Sequence, residues 1–178
     1  YTRIWDFYAS KRADTLIANS KHSQNCIKKY YKRDSLLLYP PVNTRQFTPQ
    51  KTHENYFLMN CQSITDTYNI ELVIKLFNKI GRKLLILGYF AEQDFMKSIA
   101  APNIEFIGTK NKDLNKEYIQ NCRAFIAPQE ENFAISIIEA MAAGKPVLAS
   151  NKNISKEIIM PSVNGELFYE DNLKSIED

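Results

Sequence analysis

No G-x-G-x-x-G follows any predicted strand of this sequence, and only five glycines occur in its 178 residues. That absence argues against a dinucleotide-binding dehydrogenase, whose pyrophosphate needs a tight glycine turn. No Asp-x-Asp cluster is present, so no metal is implied. The three cysteines, Cys26, Cys61 and Cys122, lie far apart without metal-type spacing. An odd, scattered set suggests a reducing compartment and no disulfide framework. Cys61 reads as a small buried residue, with no histidine near it in sequence to activate it. No run approaches the roughly 18 apolar residues that a membrane-spanning helix needs. The opening YTRIWDFYASKR is polar and aromatic and does not read as a signal peptide. His22 and His53 stand in polar stretches and read as surface residues rather than bases. A net charge of +3 gives no warrant for nucleic-acid binding. The one dense basic cluster, Lys28, Lys29, Lys32 and Arg33, reads as a solvated helix face. Weak peripheral contact with an anionic membrane surface is its alternative reading.

What is present is ordinary globular material, 44% hydrophobic and 24% charged. It suffices for one well-cored domain, or one domain plus a fragment. Residues 1–53 read as a helix over Arg3–Arg12, a strand over Thr15–Ala18, a helix over Ser20–Tyr31 with Ser20 as its N-cap, and a strand over Ser35–Tyr39. Pro40 and Pro41 end that strand, and the polar stretch to about Glu54 reads as a linker. Tyr30, Tyr31 and Tyr39 read as core or linker packing. These elements are too few for an independent core and look like the tail of a larger α/β domain.

Residues 54–178 read as a second domain. Strands are expected at YFLMN (56–60), KLLILG (83–88), NIEFIG (103–108), RAFIA (123–127), PVLA (146–149) and Glu166–Tyr169. Between them come helices over Asn69–Lys79, Ala91–Ala100, Lys112–Asn121, Ala134–Ala143 and Ser155–Ile159, then a terminal helix. The first of these helices carries Leu72, Leu76 and Ile80 as an apolar stripe. Continuous apolar runs such as KLLILG suit strands buried on both faces. The alternation predicts an α/β fold, a Rossmann-like, doubly wound parallel sheet with right-handed crossovers.

In such sheets ligands bind at the carboxyl ends of the strands. The relevant loops follow residues 60, 88, 108 and 127, and the last holds Gln129, Glu130, Glu131 and Asn132. The stretch QEENFAISIIEAMAAGKPVLAS is the most informative in the chain. Glu131 stands on the loop before a helix and Glu139 on its second turn, roughly 12 Å apart along a helical axis. That span suits two ends of a sugar nucleotide and not a shared proton. The backbone N–H groups of Phe133, Ala134 and Ile135 lie at the helix N-terminus, where a phosphate is favoured. Small Ala134 permits close approach.

Glu131 and Glu139 with seven residues between them, followed by EAMAAGKPVLAS and later NGELF, resemble the donor-site signature of family 4 glycosyltransferases. These are retaining enzymes of the two-Rossmann-domain GT-B class. The stretch RIWD…RADTLIANS…IKKYYKRDSLLLYPPVNTRQF is similar to the end of their first domain and the interdomain linker. The resemblance is strongest to mannosyltransferases that build bacterial surface polysaccharides. It implies transfer of a hexose, mannose by that likeness, from a nucleotide diphosphate sugar to a glycan or lipid-linked acceptor, with no further cofactor. It places the protein in the cytoplasm, at the inner face of the membrane. Glu139 would hold the ribose, and Glu131 the donor hexose as the catalytic carboxylate. Asn132 and the Phe133–Ile135 backbone would hold sugar and phosphate, and Gly108 and Thr109 the base. The remaining first domain would have to come from further chain or a partner.

Two positions depart from that pattern. Gln62 stands where the family has an arginine, and Tyr68 where it has a lysine. Both can donate hydrogen bonds, but neither neutralises a leaving diphosphate, which should cost several kcal/mol of transition-state stabilisation. Tyr89 and Phe90 directly follow Gly88, where a glycine-rich loop is usual. A degenerate, non-catalytic nucleotide-sugar-binding chain or partner subunit is therefore the alternative reading.

Overall fold

The computed structural model describes residues 2–61, 68–90, 92–108, 111–129 and 133–169, with the backbone alone of Tyr68 and Lys112. The chain opens with α1 (Thr2–Ser10), β1 (Ile17–Ala18), α2 (Lys21–Tyr31) and β2 (Leu36–Leu37). The short strands β1 and β2 pair in parallel. Ser20 caps α2 as expected, its hydroxyl accepting from the Ser23 N–H at 3.0 Å. The basic cluster is only partly a solvated face. Lys28 pairs with Asp34 in solvent, but Arg33 donates to the carbonyls of Ala13 at 2.7 Å and Asp14 at 3.0 Å. That guanidinium ties down the chain leaving α1.

A 3-10 turn over Thr44–Gln46 leads into the larger sheet. Its strands are β3 (Phe57–Asn60), β4 (Leu84–Leu87), β5 (Ile104–Ile107), β6 (Ala124–Ala127), β7 (Val147–Ser150) and β8 (Gly165–Phe168). Six parallel strands run in the order β5-β4-β3-β6-β7-β8, the doubly wound arrangement expected from the alternating elements. Between them lie α3 (Tyr68–Ile80), α4 (Gln93–Ile99), α5 (Lys112–Asn121), α6 (Ile135–Ala142) and α7 (Ser155–Ile158). The terminal helix expected from the sequence lies outside the described residues.

Strand periodicity explains the continuous apolar runs, because each face of the sheet has its own core. Leu58, Leu85, Leu87, Phe125 and Ala127 face α5, α6 and Phe47 of the linker. Met59, Leu84, Ile86 and Ile126 face α3 and α4. The inward face of α3 is wider than the expected stripe and only partly coincides with it. Ile70, Val73, Ile74 and Phe77, spaced i, i+3, i+4, i+7, are buried together with Leu76, while Ile80 is 40% exposed. Of the expected stripe, Leu76 is buried and Leu72 half-buried, and its end at Ile80 turns out to solvent.

Candidate functional site

The strand order reverses between β3 and β6, since the chain moves outward through β4 and β5 and then returns beside β3. A reversal of this kind leaves a crevice outside the carboxyl ends of the two strands. The crevice is tied at its base, where the Gln129 amide donates to the Asn60 carbonyl at 2.9 Å. Gln129 therefore has a structural role on this loop.

Helix α6 starts at this crevice. Ala134 is its N-cap residue, buried at 2% exposure, with no side-chain cap. The N–H groups of the first helical turn have no carbonyl within the helix to bond. Phe133 precedes the turn, half-buried, with its ring centroid 6.3 Å from that of Tyr39. Ile135 opens the helix and is 47% exposed. Glu139 is half-buried on the second turn, roughly 6 Å along the axis from Ile135. The structure thus brings Phe133, Ala134, Ile135 and Glu139 together on one helix entry. Gly108 ends β5, further along the same edge of the sheet. Gln62, Thr109, Glu131, Asn132 and the Tyr68 side chain lie outside the described residues; the Tyr68 backbone opens α3.

The remainder of the GKP segment does not line the crevice. Gly144 ends α6 with φ of +73°, and a Cβ there would stand 3.1 Å from Pro49. The buried Lys145 ammonium donates to the Thr52 carbonyl at 3.4 Å. These residues stitch the end of α6 to the linker.

Two features of the site escaped the sequence. Tyr89, at the end of β4, donates its hydroxyl to the Gly108 carbonyl at 2.8 Å. Glu157 of α7 accepts from the Lys21 and His22 N–H groups at 3.1 and 2.9 Å. It also accepts from the Tyr39 hydroxyl at 2.9 Å, a bond that holds that phenol above its ordinary pKa. One carboxylate so clamps the start of α2 and the linker to the larger sheet. A pocket of about 400 Å³ lies beside it, lined among others by Tyr39, Val42, Phe133 and Ile138. No local pattern could announce Glu157, because its partners are more than a hundred residues away in sequence. Tyr30, read as packing, is instead 62% exposed, with the Lys29 ammonium 5.0 Å from its ring centroid.

The thiols divide by burial. Cys61 is fully buried at the end of β3, and burial pushes its pKa up. Burial likewise pushes Cys122 from 9.0 up to about 12, against the lowering effect of Lys145. Cys26 is half-buried, its sulfur 3.4 Å from His22 Nε2. At pH 8 a disulfide reagent should therefore label one thiol quickly in the folded chain, Cys26, and three after unfolding. Rapid labelling of two or more native thiols would contradict this burial. The Cys122 contribution to stability is present below about pH 9 and is lost as pH rises through about 12.

Among the described residues no helix is long and apolar enough to cross a membrane, and no cluster of three potential metal ligands occurs. Residues 43–178 match the family described as Glycosyl transferases group 1. An uncharacterized glycosyltransferase of Methanocaldococcus jannaschii is 23% identical over 176 residues, covering 96% of this chain and 50% of that protein. Among solved structures, sucrose-phosphate synthase from Thermosynechococcus elongatus superposes with a TM-score of 0.83 at 17% identity, covering 98% of this chain and 50% of that one. Anabaena HepE in complex with UDP-glucose superposes at 0.77 with 19% identity, covering 92% and 52%. The chain spans at most about half the length of the curated relatives it matches.

Proposed function

Because the chain belongs to the glycosyl transferases group 1 family, we propose that it forms the donor-binding part of a retaining glycosyltransferase of GT-B architecture. The donor is a nucleoside diphosphate hexose, mannose by the sequence resemblance, and the acceptor a glycan or lipid-linked sugar of bacterial surface polysaccharide synthesis. The reaction takes place at the cytoplasmic face of the membrane. The observation that carries this reading is the uncapped start of α6 at the β3–β6 reversal, with Glu139 one turn along. The N–H groups and the positive end of the helix dipole suit the diphosphate, without a resident cofactor or metal. Glu139 accepts from the ribose hydroxyls. Glu131 and Asn132 address the hexose, with Glu131 as the catalytic carboxylate, and Gly108 and Thr109 address the base. Gln62 and Tyr68 serve as neutral donors to the diphosphate. Support comes from the UDP and UDP-glucose complexes of a chain with the same fold.

The first 53 residues fit the end of a preceding α/β domain and its linker. Ile17, Leu36 and Leu38, on or beside the small β1–β2 sheet, are 60–64% exposed. These side chains suit burial beneath the rest of such a domain or a partner chain.

Calorimetric titration with UDP-glucose and GDP-mannose tests the donor site. At least one nucleotide sugar should bind with a dissociation constant below millimolar. Glu139→Ala should weaken that binding about 10- to 100-fold, the worth of lost charge-assisted hydrogen bonds. Absence of sub-millimolar binding by both donors overturns the reading.

A further inference from the structure

Tyr89 sits at the carboxyl end of β4 in an arrangement that packing alone does not require. Its hydroxyl is pinned to the Gly108 carbonyl at 2.8 Å. Its ring lies so close over Gly108 that a Cβ on that residue would stand 2.3 to 2.6 Å from the phenol oxygen and two ring carbons. A side chain at Gly108 would have to push the tip of the ring aside. The next residue, Phe90, packs against the core on the α3–α4 side, which anchors the segment from below. Tyr89 is nevertheless 56% exposed. An aromatic ring is thus held against the end of β5 while much of its surface remains open to solvent.

Strand β5 stands three strand spacings from β6, about 14 Å, a reach suited to an extended nucleoside diphosphate whose phosphates rest at the start of α6. We propose that Tyr89 is a fixed stacking platform for the nucleobase of the donor, an inference that rests on the donor-site reading above. Every base presents a π-face, so stacking on such a ring accepts uracil and guanine alike. The hydrogen bond to Gly108 fixes the ring before the ligand arrives, which lowers the entropy lost on binding. Gly108 is then required for a second reason besides its place in the loop: any side chain there displaces the platform.

The test compares three ligands, UDP, GDP and base-free ribose 5-diphosphate, on the full chain by calorimetry. Tyr89→Ala should weaken UDP or GDP by about 5- to 150-fold, the usual worth of one base–aromatic stack. It should leave ribose 5-diphosphate unchanged. Tyr89→Phe keeps the ring and should stay within a few-fold of the parent. Thermal melts of both variants establish that the exposed side chain is not needed for folding. Unchanged or tighter nucleotide binding by Tyr89→Ala overturns the platform, as does an equal loss for the base-free ligand. If the parent chain binds none of the three, the donor-site reading itself falls, and the platform with it.

Discussion

Truncation of Phe125 to alanine should remove about 3–5 kcal/mol of stability, the usual cost of deleting a buried aromatic ring. Phe125 is 1% exposed and lies on β6, the strand at which the order of the sheet reverses. It stands between Leu58 of β3 and Val147 of β7 in the parallel register. Its backbone N–H donates to the Pro146 carbonyl at 3.0 Å. The ring belongs to the core shared with Leu58, Ile137, Ala140 and Val147, so neighbours on several elements would have to collapse to refill the space. Neighbouring strands hold the backbone in place, which limits that collapse and puts the cost toward the upper end. Urea denaturation followed by circular dichroism gives the measurement, with an unchanged slope indicating an unchanged unfolded state. Ile126→Val, one residue along and facing the opposite core, should cost only about 0.5–1.5 kcal/mol. A loss below about 1 kcal/mol for Phe125→Ala would mean that this face of the sheet is loosely packed.

Gly165→Ala should also destabilise the sheet, by a different route. Gly165 opens β8 and pairs with Val147. A Cβ at that position would stand 2.0 Å from the Val147 carbonyl oxygen and 2.9 Å from its carbon. Those atoms are backbone in a hydrogen-bonded strand and cannot swing aside as a side chain would. Relief requires β8 to move away from β7. Overpacking of this kind typically costs about 1–3 kcal/mol and more when backbone must shift. The damage should be local in its first stage. Amides of β8 should lose hydrogen-exchange protection while those of β3, β4 and β6 keep theirs. Uniform loss of protection would instead mean that β8 unfolds only with the whole sheet, and an unperturbed variant would mean that the close approach at Gly165 is absent in solution.

The contrast between what was legible and what was not follows the range of the interactions. Helix α5 was readable to its ends, and its Asn111 cap, accepting from the Asp113 N–H at 2.9 Å, is a bond two residues long. Ser20 announced the start of α2 in the same way. The turn at Gly144 is equally local. The inward face of α3 was only partly legible, Leu76 being buried and Ile80 exposed, because Tyr68–Ile80 is apolar over more than one stripe, and β3 and β4 decide which residues they cover. Arg33 looked like one more surface cation because its acceptors, the carbonyls of Ala13 and Asp14, are defined only once α1 packs beside α2.

For the candidate site, the sequence by itself placed Phe133, Ala134, Ile135 and Glu139 on one helix entry and Gly108 at a strand end. Chain order and helical periodicity are enough for that. Tertiary structure alone decided that Tyr89 lies over Gly108 and that Glu157 clamps the start of α2 to Tyr39. The physical reason is directional. Capping and amphipathic spacing act within a few residues, so a linear pattern records them. A phenol bonded to a carbonyl on the neighbouring strand, or a carboxylate reaching a distant helix start, depends on sheet order and register, which arise only when strands far apart in the chain are brought side by side.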